Sequence, residues 1–275
     1  MKKLIQVILY IALSVILGSM VFFGAKAYKQ AILYEEATTE LVSYQDAGQQ
    51  ASLKLEQFAK SLFGDLYDDE LKMKLDKVRE KQEAAMIKAQ EYTFYFMCLL
   101  AVVLLSFFVV SLRTFTLFGS LSAMVALVFG LITPILMVTI HKEVEYLGDI
   151  VLSFESKGVI GSIVKLWETG DIVVAMVILL FSVVVPVLKV LSLLVVSIFM
   201  ESRSAHGIIK FFKMIGKWSM VDVFVVAVFL VYLTANKGDV SRAEIEMGLY
   251  FFLAYVIISM LVSLSADRML QKLKG

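Results

Sequence analysis

Two charged side chains stand deep in apolar runs of this 275-residue chain, and they are the residues best placed to do chemistry. Lys189 lies in "DIVVAMVILLFSVVVPVLKVLSLLVV" and Asp222 in "GKWSMVDVFVV". An ionisable group at membrane depth is costly, so it faces a bundle interior or water and marks a functional candidate by default. Ser182 and Pro186 share the lysine's segment. Proline has no N–H, so the carbonyl four residues back loses its helical donor; that residue is Ser182. Lys189 follows about two turns later on the same face. Ser182, Pro186 and Lys189 therefore form one polar stripe on an apolar helix. Lys189 is about 16 Å of helix rise from Met200, too deep for an ordinary end-of-helix lysine. Asp222 is about 6 Å of rise past Trp218, an interface marker. A second stripe, Tyr255, Ser259, Ser263 and Asp267, recurs every four residues. Serines at that spacing equally serve close helix packing. Lys189 and Asp222 either form an ion pair that sets helix register or share a water-filled or headgroup-sized cavity. Both readings stay open here.

The elements that must carry these groups are membrane helices. Hydrophobic residues make up 60% of the chain and mean hydropathy is +0.84, well above the soluble norm. A span needs roughly 20 apolar residues. Leu4–Gly24, Tyr92–Leu112, Phe115–Ile140, Ile172–Met200, Val221–Leu233 with its flanks, and Met247–Leu264 meet or approach that length. Lys2, Lys3, Arg113, Arg203, Lys210, Lys213, Lys217, Arg268, Lys272 and Lys274 all fall on one side if both termini are cytoplasmic, as the positive-inside rule requires. The expected fold is an all-α integral membrane protein with six transmembrane helices, N-in and C-in. The first apolar run ends in "AKA", a sequence a signal peptidase accepts, but it is longer than a usual signal core and continues helically. It is read as a retained span.

Residues 26–91 form a charged segment between spans 1 and 2. Tyr34, Ala37, Leu41, Tyr44, Gly48, Ala51, Leu55, Phe58 and Leu62 step by threes and fours, as do Leu71, Leu75, Val78, Gln82, Ala85, Ala89 and Tyr92. This is a coiled-coil seam, and "FGDLYDDE" between the two runs suits a turn. An extracytoplasmic antiparallel helical hairpin is predicted, its seam weakened at Gly48 and Gln82. Residues 1–114 are thus one unit of two spans with a hairpin, and 115–270 a four-helix unit.

Three further segments have readable roles. In "HGIIKFFKMIGKW" the basic residues Lys210, Lys213 and Lys217 share a face; with Trp218 they predict an interfacial helix on the anionic cytoplasmic leaflet. "DIVLSFES" is a strand candidate, followed by a short amphipathic helix in "GVIGSIVKLWETGD" with Trp167 at the outer interface. Pro134 in "FGLITPILMV" predicts a kink in the outer half of span 3, which pairs it with the proline-broken span 4, a pattern of transport sites. No nucleophile elbow, phosphate loop, metal motif or nucleic-acid motif occurs. The expectation is a protein that is not an enzyme, has no cofactor or metal, and binds no nucleic acid.

"LLFSVVVPVLKVL" and "GKWSMVDVFVVAVFLVY" resemble the two signature blocks of the paraquat-inducible protein A (PqiA/LetA) family, and "GLITPIL", "SIVKLWETGD" and "GLYFFLAYVIISML" are similar to it as well. The resemblance covers roughly 115–270. It implies a tetraspanin-like four-helix unit in a bacterial inner membrane that takes part in lipid transport or envelope lipid homeostasis with an MCE-type or other envelope partner. It implies that Ser182, Lys189 and Asp222 line a lipid headgroup cavity or polar network, with Ser259 a fourth, unaligned candidate. The family's two-unit architecture and cysteine-rich zinc ribbons are missing, with one cysteine in the chain, and the hairpin is outside its pattern. Two other functions fit the same residues: an adaptor or sensor acting through the hairpin, and an ion-coupled small-solute transporter using Asp222.

Overall fold

The computed structural model describes residues 2–44, 69–144, 148–199 and 241–272. Helix α1 is Lys2–Tyr44 and α2 is Asp69–Leu105, followed by a single 3₁₀ turn at Ser106–Phe108; α3 is Leu112–Ile132. Strands β1 (Leu136–Val144) and β2 (Gly148–Lys157) lead to α4, Val159–Glu168. Helices α5 (Ile172–Ile178) and α6 (Val185–Phe199) are joined by a π turn at Leu179–Val184. Strand β3 (Ser241–Ile245) runs into α7, Met247–Lys272. Among the described residues, five helical segments are long and apolar enough to cross a membrane: Gln6–Val42, Asp76–Phe108, Leu112–Ile132, Ile172–Ile198 and Met247–Met269. The protein is an all-α integral membrane protein in its spanning part. The expected fifth span, Val221–Leu233, lies outside the described residues, as do the hairpin turn and the interfacial segment around Lys210.

Helices α1 and α2 run as two long antiparallel rods, and their outer halves meet along the predicted seam. Tyr34 is buried with Ala85, and Ala37 and Leu41 with Val78, while Ala89 is buried in the main core. Gln82 does not weaken this seam. Its Nε2 donates to Thr38 Oγ1 at 2.7 Å, and Thr38 Oγ1 in turn donates to the Tyr34 carbonyl. A half-buried amide satisfied in this way costs little and sets register between the rods.

Span 3 is shorter than expected. Helix α3 ends at Ile132, and the Thr133 N–H bonds back to the Phe129 carbonyl at 3.0 Å. Thr133 is extended, as a residue before proline prefers, so Pro134 terminates the helix and kinks nothing. The apolar residues beyond it belong to β1. That strand is the centre of a three-stranded sheet in the order β2-β1-β3, antiparallel throughout. Leu136 lies opposite both Lys157 and Ile245, and a bulge at Ile140/His141 shifts the outer register of β2. The strand candidate in "DIVLSFES" is β2. Strand β1, which pairs with it, and β3, which pairs with the other edge of β1, are an addition to the all-helical expectation. The Pro134 and Ile135 carbonyls accept from the Gly248 and Glu246 N–H groups at 2.8 and 3.0 Å, so the proline edge is tied to the start of α7.

Helix α4 is the predicted amphipathic helix. Ile160, Val164 and Trp167 are exposed along one face, which suits an outer membrane interface. Gly170, with φ of 90°, ends it in the left-handed conformation that glycine tolerates best. The main core joins α2, α3 and α7 through Phe96, Phe129 and Phe251, with the Phe96 and Phe251 rings 4.8 Å apart and edge to face.

Close approach of α3 and α7 depends on small residues. A Cβ on Gly130 would stand 2.8 Å from the Phe252 backbone nitrogen. Gly130→Ala is therefore expected to lower stability by about 1–3 kcal/mol through overpacking. Gly161, on α4, has open space around it, and Gly161→Ala is expected to be neutral or to stabilise by up to about 1 kcal/mol. Thermal unfolding of the purified protein in detergent checks both; equal losses would contradict the close α3–α7 contact.

Candidate functional site

Lys189 sits one turn past the π turn that precedes Pro186. Across that turn the Val185 N–H reaches the Leu180 carbonyl, five residues back. A wide turn of this kind accommodates a proline ring that would clash in a regular helix. The expected single free carbonyl at Ser182 is thus a widened segment of backbone with Ser182 within it. π turns are frequent at functional sites in helices. Ser182, Pro186 and Lys189 are all buried, and Lys189 is only 3% exposed. The same inward side carries Val190, Leu193 and Val196, while Leu188 and Leu191 are exposed towards lipid.

Helix α7 supplies a partner. Lys189 Nζ donates to Ser259 Oγ at 3.1 Å, and Ser259 Oγ donates to the Val256 carbonyl at 3.0 Å. The hydroxyl's own proton is used within its helix, which leaves its lone pairs for the ammonium. Ser259 is one of the interactions of Lys189, which has others. Of the second predicted stripe, Tyr255 and Ser259 are fully buried, Ser263 is half-buried and Asp267 is exposed. The reason is geometric: a four-residue step overshoots the 3.6-residue turn, so the stripe drifts off the buried face. Val262, Ser265 and Ala266 take over inside.

Helix α3 holds α6 and α7 together and adds Thr116 and Ser120, buried polar groups that the sequence reading missed. Arg113 Nε and Nη2 donate to the Ser197 and Ile198 carbonyls at 3.3 and 3.4 Å, closing the C-terminal end of α6 with a cation. Thr116 Oγ1 bonds to Ser265 Oγ at 3.3 Å, and Ser120 Oγ donates to the Thr116 carbonyl at 2.6 Å. Thr116 and Ser120 are fully buried. Their four-residue spacing is visible in span 3.

The site therefore consists of a buried ammonium, a buried hydroxyl bonded to it, and a distorted turn with a second hydroxyl. A lysine ammonium has three donors, so it is suited to hold an anionic or strongly accepting group away from bulk water. No cluster of histidine, cysteine, aspartate or glutamate that could hold a metal occurs among the described residues. Asp222, Lys210, Lys213, Lys217 and Trp218 lie outside the described residues, and with them the question of a Lys189–Asp222 pair.

Comparison with known proteins places this polar site in a recognised unit. Residues 113–271 match the family described as Paraquat-inducible protein A. The Intermembrane transport protein PqiA of Escherichia coli (strain K12) is 30% identical over 115 residues, covering 40% of this chain and 27% of that protein. The protein of the same name in Shigella flexneri is similar to the same extent. The chain thus aligns with about a quarter of the length of the curated relatives it matches. No solved structure matches the chain.

The Lys189–Ser259 bond leads to a thermodynamic expectation. In a cycle of Lys189→Met, Ser259→Ala and the double variant, unfolding in detergent should give a coupling of about 0.5–2 kcal/mol. Additive effects would mean that the two side chains do not hold one another.

Proposed function

This chain belongs to the paraquat-inducible protein A family, and we propose from that premise that it handles membrane lipids in transport or lipid homeostasis of a bacterial envelope. The observation that carries the reading is Lys189, 3% exposed inside a span and bonded to Ser259 on the neighbouring helix. A buried ammonium at that depth is costly, and a phosphate headgroup is the anionic, multiply accepting group that a membrane offers in quantity. Ser182 at the π turn and Asp222 would complete the polar surface, with Pro186 holding the turn open. The name of the Escherichia coli relative, an intermembrane transport protein, supports transport between membranes as the process. By the same reading the chain lies in the inner membrane, has no enzymatic activity of its own, and meets an MCE-type or other envelope protein on its outer side. The basic segment Lys210, Lys213, Lys217 with Trp218 would rest on the cytoplasmic leaflet.

The test is photocrosslinking in cells. A photoreactive residue replaces Val185, beside Ser182 and Lys189, and in a control replaces lipid-facing Leu188 on the same helix. Radiolabelled phospholipid is expected to label position 185 and to lose most of that labelling in Lys189→Met and in Asp222→Ala, with membrane accumulation unchanged. Labelling equal at 185 and 188 and indifferent to both variants would reduce the polar residues to helix packing.

A further inference from the structure

A cavity lies far from Lys189. It has a volume of about 280 Å³ and is enclosed by the outer parts of α1 and α2 and by the start of α7. Its walls belong partly to residues before 113, outside the segment that matches the family. Glu246 is about 20 Å of helix rise from Ser259 on α7, so the two sites are separate.

The walls change character with depth. On the membrane side they include Phe94 and Met97, and on the outer side Gln90 and Tyr34. Helix α2 passes from "KAQE" into apolar sequence at Tyr92, so the cavity straddles the outer membrane boundary. Phe94 and Tyr250 are 65% and 49% exposed, which opens the mouth sideways, towards lipid. Of the lining residues Glu246 is the one with a formal charge, and it is 6% exposed. Its position is set by the junction of sheet and helix: its N–H donates to the Ile135 carbonyl, and its own carbonyl accepts from the Leu249 N–H. Glu246 has an interaction within the protein, and an ionised carboxylate has about four acceptor sites, so an ammonium can share it.

We propose that this cavity binds the ammonium-bearing headgroup of an outer-leaflet phospholipid, with Glu246 facing the ammonium and the acyl chains leaving past Phe94 and Tyr250. The charge on the wall selects a cationic group, and the lateral apolar mouth selects one attached to a lipid. Binding here is independent of the site at Lys189. It places a headgroup where the hairpin meets the bundle, so an occupied cavity braces α1 and α2 against α7.

The experiment uses the full chain in nanodiscs with Tyr250→p-benzoylphenylalanine, and Ile257→p-benzoylphenylalanine as a lipid-facing control on the same helix. The probes are radiolabelled phosphatidylethanolamine and phosphatidylglycerol with the same acyl chains. Position 250 is expected to favour phosphatidylethanolamine about fivefold, as a partly solvated charge contact allows, and position 257 to show no preference. Glu246→Gln and Gln90→Trp, the latter placed at the exposed rim, should each remove the preference. Lys189→Met should leave it intact, which separates this proposal from the function proposed above. No preference at 250 in the unsubstituted background, or one that survives Glu246→Gln, would overturn the proposal; the first comparison requires neither cavity variant to fold.

Discussion

Lys189 imposes the main constraint on this structure. An ammonium almost without solvent exposure, in a segment this apolar, must be met by acceptors held in place by neighbouring helices. The partner hydroxyl is on α7, and α7 comes within reach because α3 brings it close through glycine and serine contacts. Gly119 faces Val262, Gly130 faces the Phe252 backbone, and Thr116 bonds to Ser265. Arg113 ties the far end of α6 to the start of α3. The lysine site is therefore the centre of a three-helix clamp, and the small and hydroxylic residues of α3 matter to it without touching the ammonium.

The outer half of the molecule is joined to that clamp and does not stand alone. Tyr10 of α1 bonds to Thr114 of α3 at 3.1 Å, and Gly24 lets Phe129 pack against α1. On the outer side Glu35 of the hairpin lies beside Ser156 of β2, where α1 touches the sheet. The sheet then leads through β3 into α7, the helix that carries Ser259. The hairpin is thus joined to α7 by a route of contacts and sheet pairing: α1 to β2, across β1 to β3, and into α7. The first turn of α7, at Glu246 to Tyr250, lies on that route and also lines the outer cavity.

Much of this architecture was legible because it rests on periodicity and composition. Apolar length marked the spans now described, and the three-and-four spacing of Tyr34, Ala37, Leu41, Val78, Ala85 and Ala89 marked the seam between the rods. The segment "DIVLSFES" marked β2, and the amphipathic run after Gly158 marked α4. The misreadings share a cause, which is that neighbours decide what an apolar run becomes. "LITPILMVTI" has the composition of a continuing span, yet the extended residue before Pro134 and two antiparallel partners turn its second half into β1. Gln82 looks like a defect in a seam until Thr38 stands opposite. The four-residue stripe on α7 looks continuous until the 3.6-residue turn carries Asp267 out of the bundle.

The amino-acid sequence by itself determined that this is a helical membrane protein, that Lys189 and Ser182 lie inside it, and that proline disturbs their helix. These are local properties of one segment and its hydropathy. Only the tertiary structure decided that Ser259 is a partner of Lys189, that a π turn widens the backbone around Ser182, and that Glu246 lines a cavity between the hairpin and α7. Each of these depends on the distance and rotation between helices far apart in the chain, and those follow from which small residues let two backbones approach.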